Sequence, residues 1–147
     1  MILHNSQSLT FFTPDEANNL GAFFFDTGIS AGFPSPADDF KEERLSLDKE
    51  LIKNKEATFF ARVSGQSMVG AGLDDNDLLV IDRSLEPENN KIAVCFLDGE
   101  FTVKRLKVSK GEVWLQPENP NYASIKVTEE NNFVIWGIVT NVIKKVY

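Results

Sequence analysis

The sequence predicts a mainly β protein, a small folded-over, barrel-like sheet carrying an N-terminal arm. Three observations lead there. From Thr58 onward, short runs of β-branched and aromatic residues alternate with clusters of Gly, Pro, Asn and Asp. Within that region Asp98-Gly99 separates two apolar runs, and both residues tolerate the positive φ of a tight hairpin turn. Before it, residues 1–31 contain no Lys or Arg, so all 15 basic residues fall in 32–147 and the two stretches have different compositions.

Residues 1–31 hold the apolar runs Leu9-Thr10-Phe11-Phe12 and Phe23-Phe24-Phe25, broken by Pro14, Gly21 and Gly28 and lacking a sustained period. So many aromatics are rare in a solvated tail, and the segment is expected to be an arm that packs on another surface. The join Ile29-Ser30-Ala31-Gly32-Phe33-Pro34-Ser35-Pro36-Ala37 is held extended by its prolines. Such a segment suits a linker, and it also suits a peptidase, which needs an accessible extended strand. Asp38–Arg44 is a charged stretch, and residues 48–54 are expected to form a short helix with Asp48 near its start.

The expected strands then follow in order: Thr58–Val63, Asp77–Asp82, Ile92–Leu97, Phe101–Val108, Glu112–Gln116, Ile125–Val127, and a long closing run Phe133–Ile143. The domain is therefore expected to span 32–147, with 1–31 as an N-terminal arm.

Composition excludes several functions. A net charge of −7 leaves no basic patch for a DNA duplex, so any nucleic-acid role would be indirect. His4 is the only histidine and Cys95 the only cysteine, too few for a His/Cys metal site or a His-based triad, and no cofactor is expected. Cys95 lies in an apolar run and reads as an inert core residue. No apolar run approaches the roughly 20 residues that cross a bilayer, and no secretory signal is visible, so a cytoplasmic location is expected.

What remains is Ser67, in Val63-Ser64-Gly65-Gln66-Ser67-Met68, and Lys104, in Phe101-Thr102-Val103-Lys104-Arg105-Leu106. Gly65 allows a sharp bend before Ser67. Strand alternation puts Lys104 on one face with Thr102 and Leu106, where burial could remove its charge and make it a base. On residues alone, a solvated lysine and an ordinary turn serine account for this pattern more readily than a catalytic pair does.

Together with Ala31-Gly32, Gly32-Phe33-Pro34-Ser35-Pro36-Ala37, Glu43-Arg44-Leu45-Ser46-Leu47, Gly72–Asp82 and Asn119-Pro120-Asn121-Tyr122, the two motifs resemble the LexA/UmuD family of self-cleaving Ser/Lys peptidases. The resemblance spans 32–147 almost without a gap and implies a fold of LexA and signal-peptidase type. It implies Ser67 as nucleophile, Lys104 as general base and Ala31–Gly32 as the bond the protein cuts in itself. Alanine before the scissile glycine is the LexA-type choice, and Val69-Gly70-Ala71-Gly72 differs in detail from the family's loop.

The first 31 residues are too short for a repressor's helix-turn-helix domain. The resemblance therefore implies an SOS-response role: cleavage stimulated by a RecA filament on single-stranded DNA, homodimerisation, and partnership with UmuC in error-prone DNA polymerase V. Two alternatives stand beside it, a non-catalytic β domain that only binds partners and a membrane-linked signal peptidase of similar chemistry.

Overall fold

A computed structural model describes residues 8–14, 22–25 and 42–147. These fall into two compact units, residues 15–53 and the remainder. In the smaller unit β2 (Ala22–Phe25) pairs antiparallel with β3 (Glu42–Leu45), and the helix α1 (Leu47–Leu51) follows. Ser46 caps α1 by accepting a hydrogen bond from the Lys49 amide. The helix is shorter than expected because Ile52 is already extended, its amide closing the last turn on Asp48 O at 2.7 Å. The Ala31–Gly32 bond and the Ile29–Ala37 join lie outside the described residues.

The larger unit is one antiparallel sheet of eight strands. It contains β1 (Ser8–Phe12), β4 (Thr58–Ser64), β5 (Leu78–Asp82), β6 (Ile92–Leu97), β7 (Glu100–Ser109), β8 (Glu112–Gln116), β9 (Ile125–Val127) and β10 (Phe133–Ile143). Their order across the sheet is β1-β4-β5-β10-β6-β7-β8-β9. The closing strand β10 is central: its first half pairs with β6 and its second with β5, and it is bulged near Trp136 and Thr140. Bulges of this kind bend a sheet. The sheet curls until Phe11 on β1 meets Phe101 on β7, ring centroids 4.9 Å apart, although four strands stand between them in the sheet order.

Two core clusters lie on the two faces. The first, inside the curl, gathers Ala61, Val63, Met68, Leu73, Leu79, Ile81, Val94 and Val103, with Leu9, Phe11 and Trp136 packed against it. The second holds Ala93, Cys95, Leu106, Leu115 and Ile138, with Phe133 at its margin. The apolar run Leu9–Phe12 thus does pack on a surface, as a strand in register with β4 from Ser8↔Ser64 to Phe12↔Phe60. The Asp98-Gly99 turn is as expected, with both residues at positive φ. Lys110 and Gly111 form a second turn of this type between β7 and β8.

Gly137 marks a close approach of β10 to β5, where an added Cβ would lie 2.5 Å from Ile81 Cγ2. Ile81 is fully buried and has little room to yield. Gly137→Ala is expected to destabilise the protein by about 1–3 kcal/mol, measured as a lower urea midpoint with an unchanged slope.

Candidate active site

Ser67 is positioned by the exit from β4. Gly65 adopts φ 115°, and its amide donates to Asp75 Oδ1 at 3.0 Å. Two residues past Ser67 the chain enters a single 3₁₀ turn, Val69–Ala71. Met68 and Leu73, each 1% exposed, anchor the loop in the first cluster. Ser67 itself has no exposed surface.

Lys104 sits in the middle of β7 on the face of the second cluster. Its cross-strand partner on β6 is Ala93, whose small side chain leaves space for the lysine stem, and the Thr102 partner is Cys95. The Lys104 side chain is fully buried. Its Nζ lies 3.2 Å from Ser67 Oγ, 2.6 Å from Thr102 Oγ1 and 3.2 Å from Val103 O. Burial lowers the Lys104 pKa from 10.5 to about 8, against a smaller opposing effect of Cys95. Burial pushes the Cys95 thiol up to about 12, so Cys95 stays protonated at neutral pH and offers no thiolate there.

The sequence placed Ser67 and Lys104 as candidates, and the structure brings their side chains into contact. It also adds partners that sequence reasoning missed. Thr102 was visible only as a small polar neighbour on the Lys104 face, whereas its hydroxyl accepts a hydrogen bond from Nζ. A second addition is the segment after β8. The Glu118 amide donates to Ser67 O at 2.9 Å, the Gly70 amide to Glu118 O at 2.7 Å, and Asn119 Nδ2 to Gln66 O at 2.8 Å. The motif Asn119-Pro120-Asn121-Tyr122 was visible in the sequence, but nothing in it signalled the loop 53 positions earlier that it would meet.

Among the described residues, the main-chain amides of Gln66, Ser67 and Met68 donate to no acceptor, whereas those of Gly65 and of residues 69–73 all do. The loop therefore presents consecutive N–H groups beside a buried hydroxyl, the arrangement that can stabilise a developing oxyanion. Among the described residues no helix is long and apolar enough to cross a membrane.

The model of the family described as Peptidase S24-like matches residues 24–140. Protein ImpA of Salmonella typhimurium is 43% identical over 117 residues, 78% of this chain and 78% of its own length. Protein MucA of Escherichia coli is 40% identical over 119 residues, 80% and 81% of the two chains. The LexA repressor of Frankia alni is 36% identical over 118 residues, 80% of this chain and 45% of the repressor.

A lysine whose folded pKa lies below its unfolded value weakens the fold while it is charged. Between pH 8 and 10.5 the unfolded chain binds more protons than the folded one, so stability rises with pH across that window and is lowest below it. Lys104→Met removes the buried charge. It is expected to raise stability at pH 7 by on the order of 2 kcal/mol after allowance for the lost hydrogen bonds, with the gain shrinking toward pH 10.5 in urea titrations.

Proposed function

The chain belongs to the Peptidase S24-like family, the self-cleaving serine peptidases of LexA and UmuD type, and we propose that within it Ser67 and Lys104 cut the chain's own Ala31–Gly32 bond. The observation that carries this reading is the fully buried Lys104 Nζ at 3.2 Å from Ser67 Oγ.

A neutral amine has two N–H bonds and one lone pair. Thr102 Oγ1 and Val103 O accept the N–H bonds, which turns the lone pair toward the Ser67 hydroxyl proton. Lys104 takes that proton as Oγ attacks the carbonyl carbon of Ala31. The oxyanion is met by loop amides beside Ser67. Collapse breaks the Ala31–Gly32 C–N bond, and Lys104 returns the proton to the departing Gly32 amine. An ester joins Ser67 to Ala31, until a water deprotonated by Lys104 hydrolyses it and frees the new carboxylate and Ser67.

The complete burial of Ser67 favours a substrate carried by the protein over one that diffuses in from solvent. In the cell, cleavage is stimulated by a RecA filament on single-stranded DNA, and the chain starting at Gly32 serves as a homodimeric accessory subunit of a UmuC-type polymerase in translesion synthesis. The charge of −7 fits partners that are proteins better than it fits direct contact with a duplex.

Four outcomes test this. With Lys104 titrating near 8, about a tenth of it is neutral at pH 7, so fragment release by the purified protein should rise about tenfold per pH unit below 8 and level off above it. Mass measurement should find products meeting at Ala31/Gly32. Ser67→Ala and Lys104→Ala should fold and remain uncut, a loss of at least about 10²-fold, and release of the same fragment by either would remove that residue's role. In cells, a chain starting at Gly32 should restore damage-induced mutagenesis that full-length Ser67→Ala has lost, and normal mutagenesis with uncut Ser67→Ala would favour a binding-only domain.

A further inference from the structure

The nucleophile loop lies against the backbone of the segment after β8 so closely that a Cβ on Gly70 would come within 2.4 Å of Glu118 O. At that crossing two consecutive carbonyls of the loop are held from the same segment: Gln66 O by Asn119 Nδ2 at 2.8 Å, and Ser67 O by the Glu118 amide at 2.9 Å. The Asn119 amide orientation is fixed by its own surroundings. Its Oδ1 accepts from the Asn121 amide at 3.0 Å, which leaves Nδ2 as the group facing Gln66 O.

These bonds have a consequence on the far edge of each peptide. A trans peptide is planar and points its C=O and N–H in opposite directions, and no cis bond occurs among the described residues. Holding Gln66 O therefore aims the Ser67 N–H away from the brace, and holding Ser67 O does the same for the Met68 N–H. Those two amides are among the three in the loop that have no acceptor among the described residues.

We infer that Asn119 is a positioning residue, whose side-chain amide, together with the Glu118 main chain, sets the oxyanion-binding orientation of the Ser67 and Met68 N–H groups. The brace is rooted in the strand that carries the base. Arg105, next to Lys104 on β7, pairs through Nε with the Glu118 carboxylate and donates from Nη1 to Asn90 O at 2.7 Å.

The inference rests on the self-cleavage reading, and pH-rate profiles of fragment release separate the two. Asn119→Asp keeps the acceptor for the Asn121 amide and removes the donor to Gln66 O. Asn119→Ser, too short to reach Gln66 O, still caps the turn through its hydroxyl. Each should lower the high-pH plateau by about tenfold or more, less than the roughly 10²–10³ lost when an oxyanion donor is deleted outright. In Asn119→Ser, which adds no charge near Lys104, the midpoint of the profile should stay at the wild-type value, and in both variants the thermal midpoint should change little. A plateau within twofold of wild type in both variants, or a loss in Asn119→Ser that takes the form of a shifted midpoint, overturns the role of Asn119. Fragment release by Ser67→Ala overturns the reading beneath it.

Discussion

The structure turns on one costly placement, a lysine with no exposed surface in the middle of a sheet. A charged ammonium is strongly favoured in water, and taking it into a protein interior raises the free energy of the charged form until the group titrates near neutrality. That shift is available only where apolar packing is complete on both sides of the strand. Ala93 and Cys95 on β6, Leu106 on β7 and Leu115 on β8 supply it on the lysine's face, and Val94 and Val103 seal the opposite one. The sheet is thus the device that leaves part of the amine neutral, and so able to accept a proton, at physiological pH, and the fold bears a stability cost for it.

The second requirement is that the serine be as fixed as the lysine. A loop alone would not hold it, since loop backbones are the mobile parts of most domains. Here the loop has Met68 and Leu73 driven into the core, its Gly65 amide capped by Asp75, and two carbonyls held by the segment after β8. Because Arg105 ties that segment to β7, nucleophile and base share one mechanical frame. Catalytic geometry is sensitive at the level of about an ångström, so this common anchoring matters as much as the pKa.

Most of the sheet was legible because its strands obey local rules. All seven strands read from Thr58 onward match the observed ones to within one residue at either end, and the Asp98-Gly99 turn carries its own stereochemistry. What escaped depended on distance in sequence. Lys110-Gly111 is a weaker turn signal than Asp-Gly, since lysine has no side-chain reason to sit at positive φ. Glu42–Leu45 is too charged to read as a strand, and its pairing comes from β2. The Leu9–Phe12 run announced that it must be buried, but not that the free edge of β4 would take it up. The same limit governs the site. Ser67 and Lys104 are marked by their motifs, whereas the Thr102 and Asn119 contacts exist only once the backbone has brought the groups together.

The burial of Ser67 and the tuning of Lys104 constrain each other. Opening the site to admit free polypeptides would rehydrate the amine, return its pKa toward 10.5 and remove the base at neutral pH. A buried Ser/Lys pair on this small sheet therefore suits a substrate that arrives without bulk water, and a segment tethered to the same protein is such a substrate. Tethering also replaces a bimolecular encounter with an internal one, so a single turnover needs no affinity beyond correct placement. Low solvent access, which would be a defect in a peptidase that digests other chains, is what allows the lysine to act as the base of one that cuts itself once.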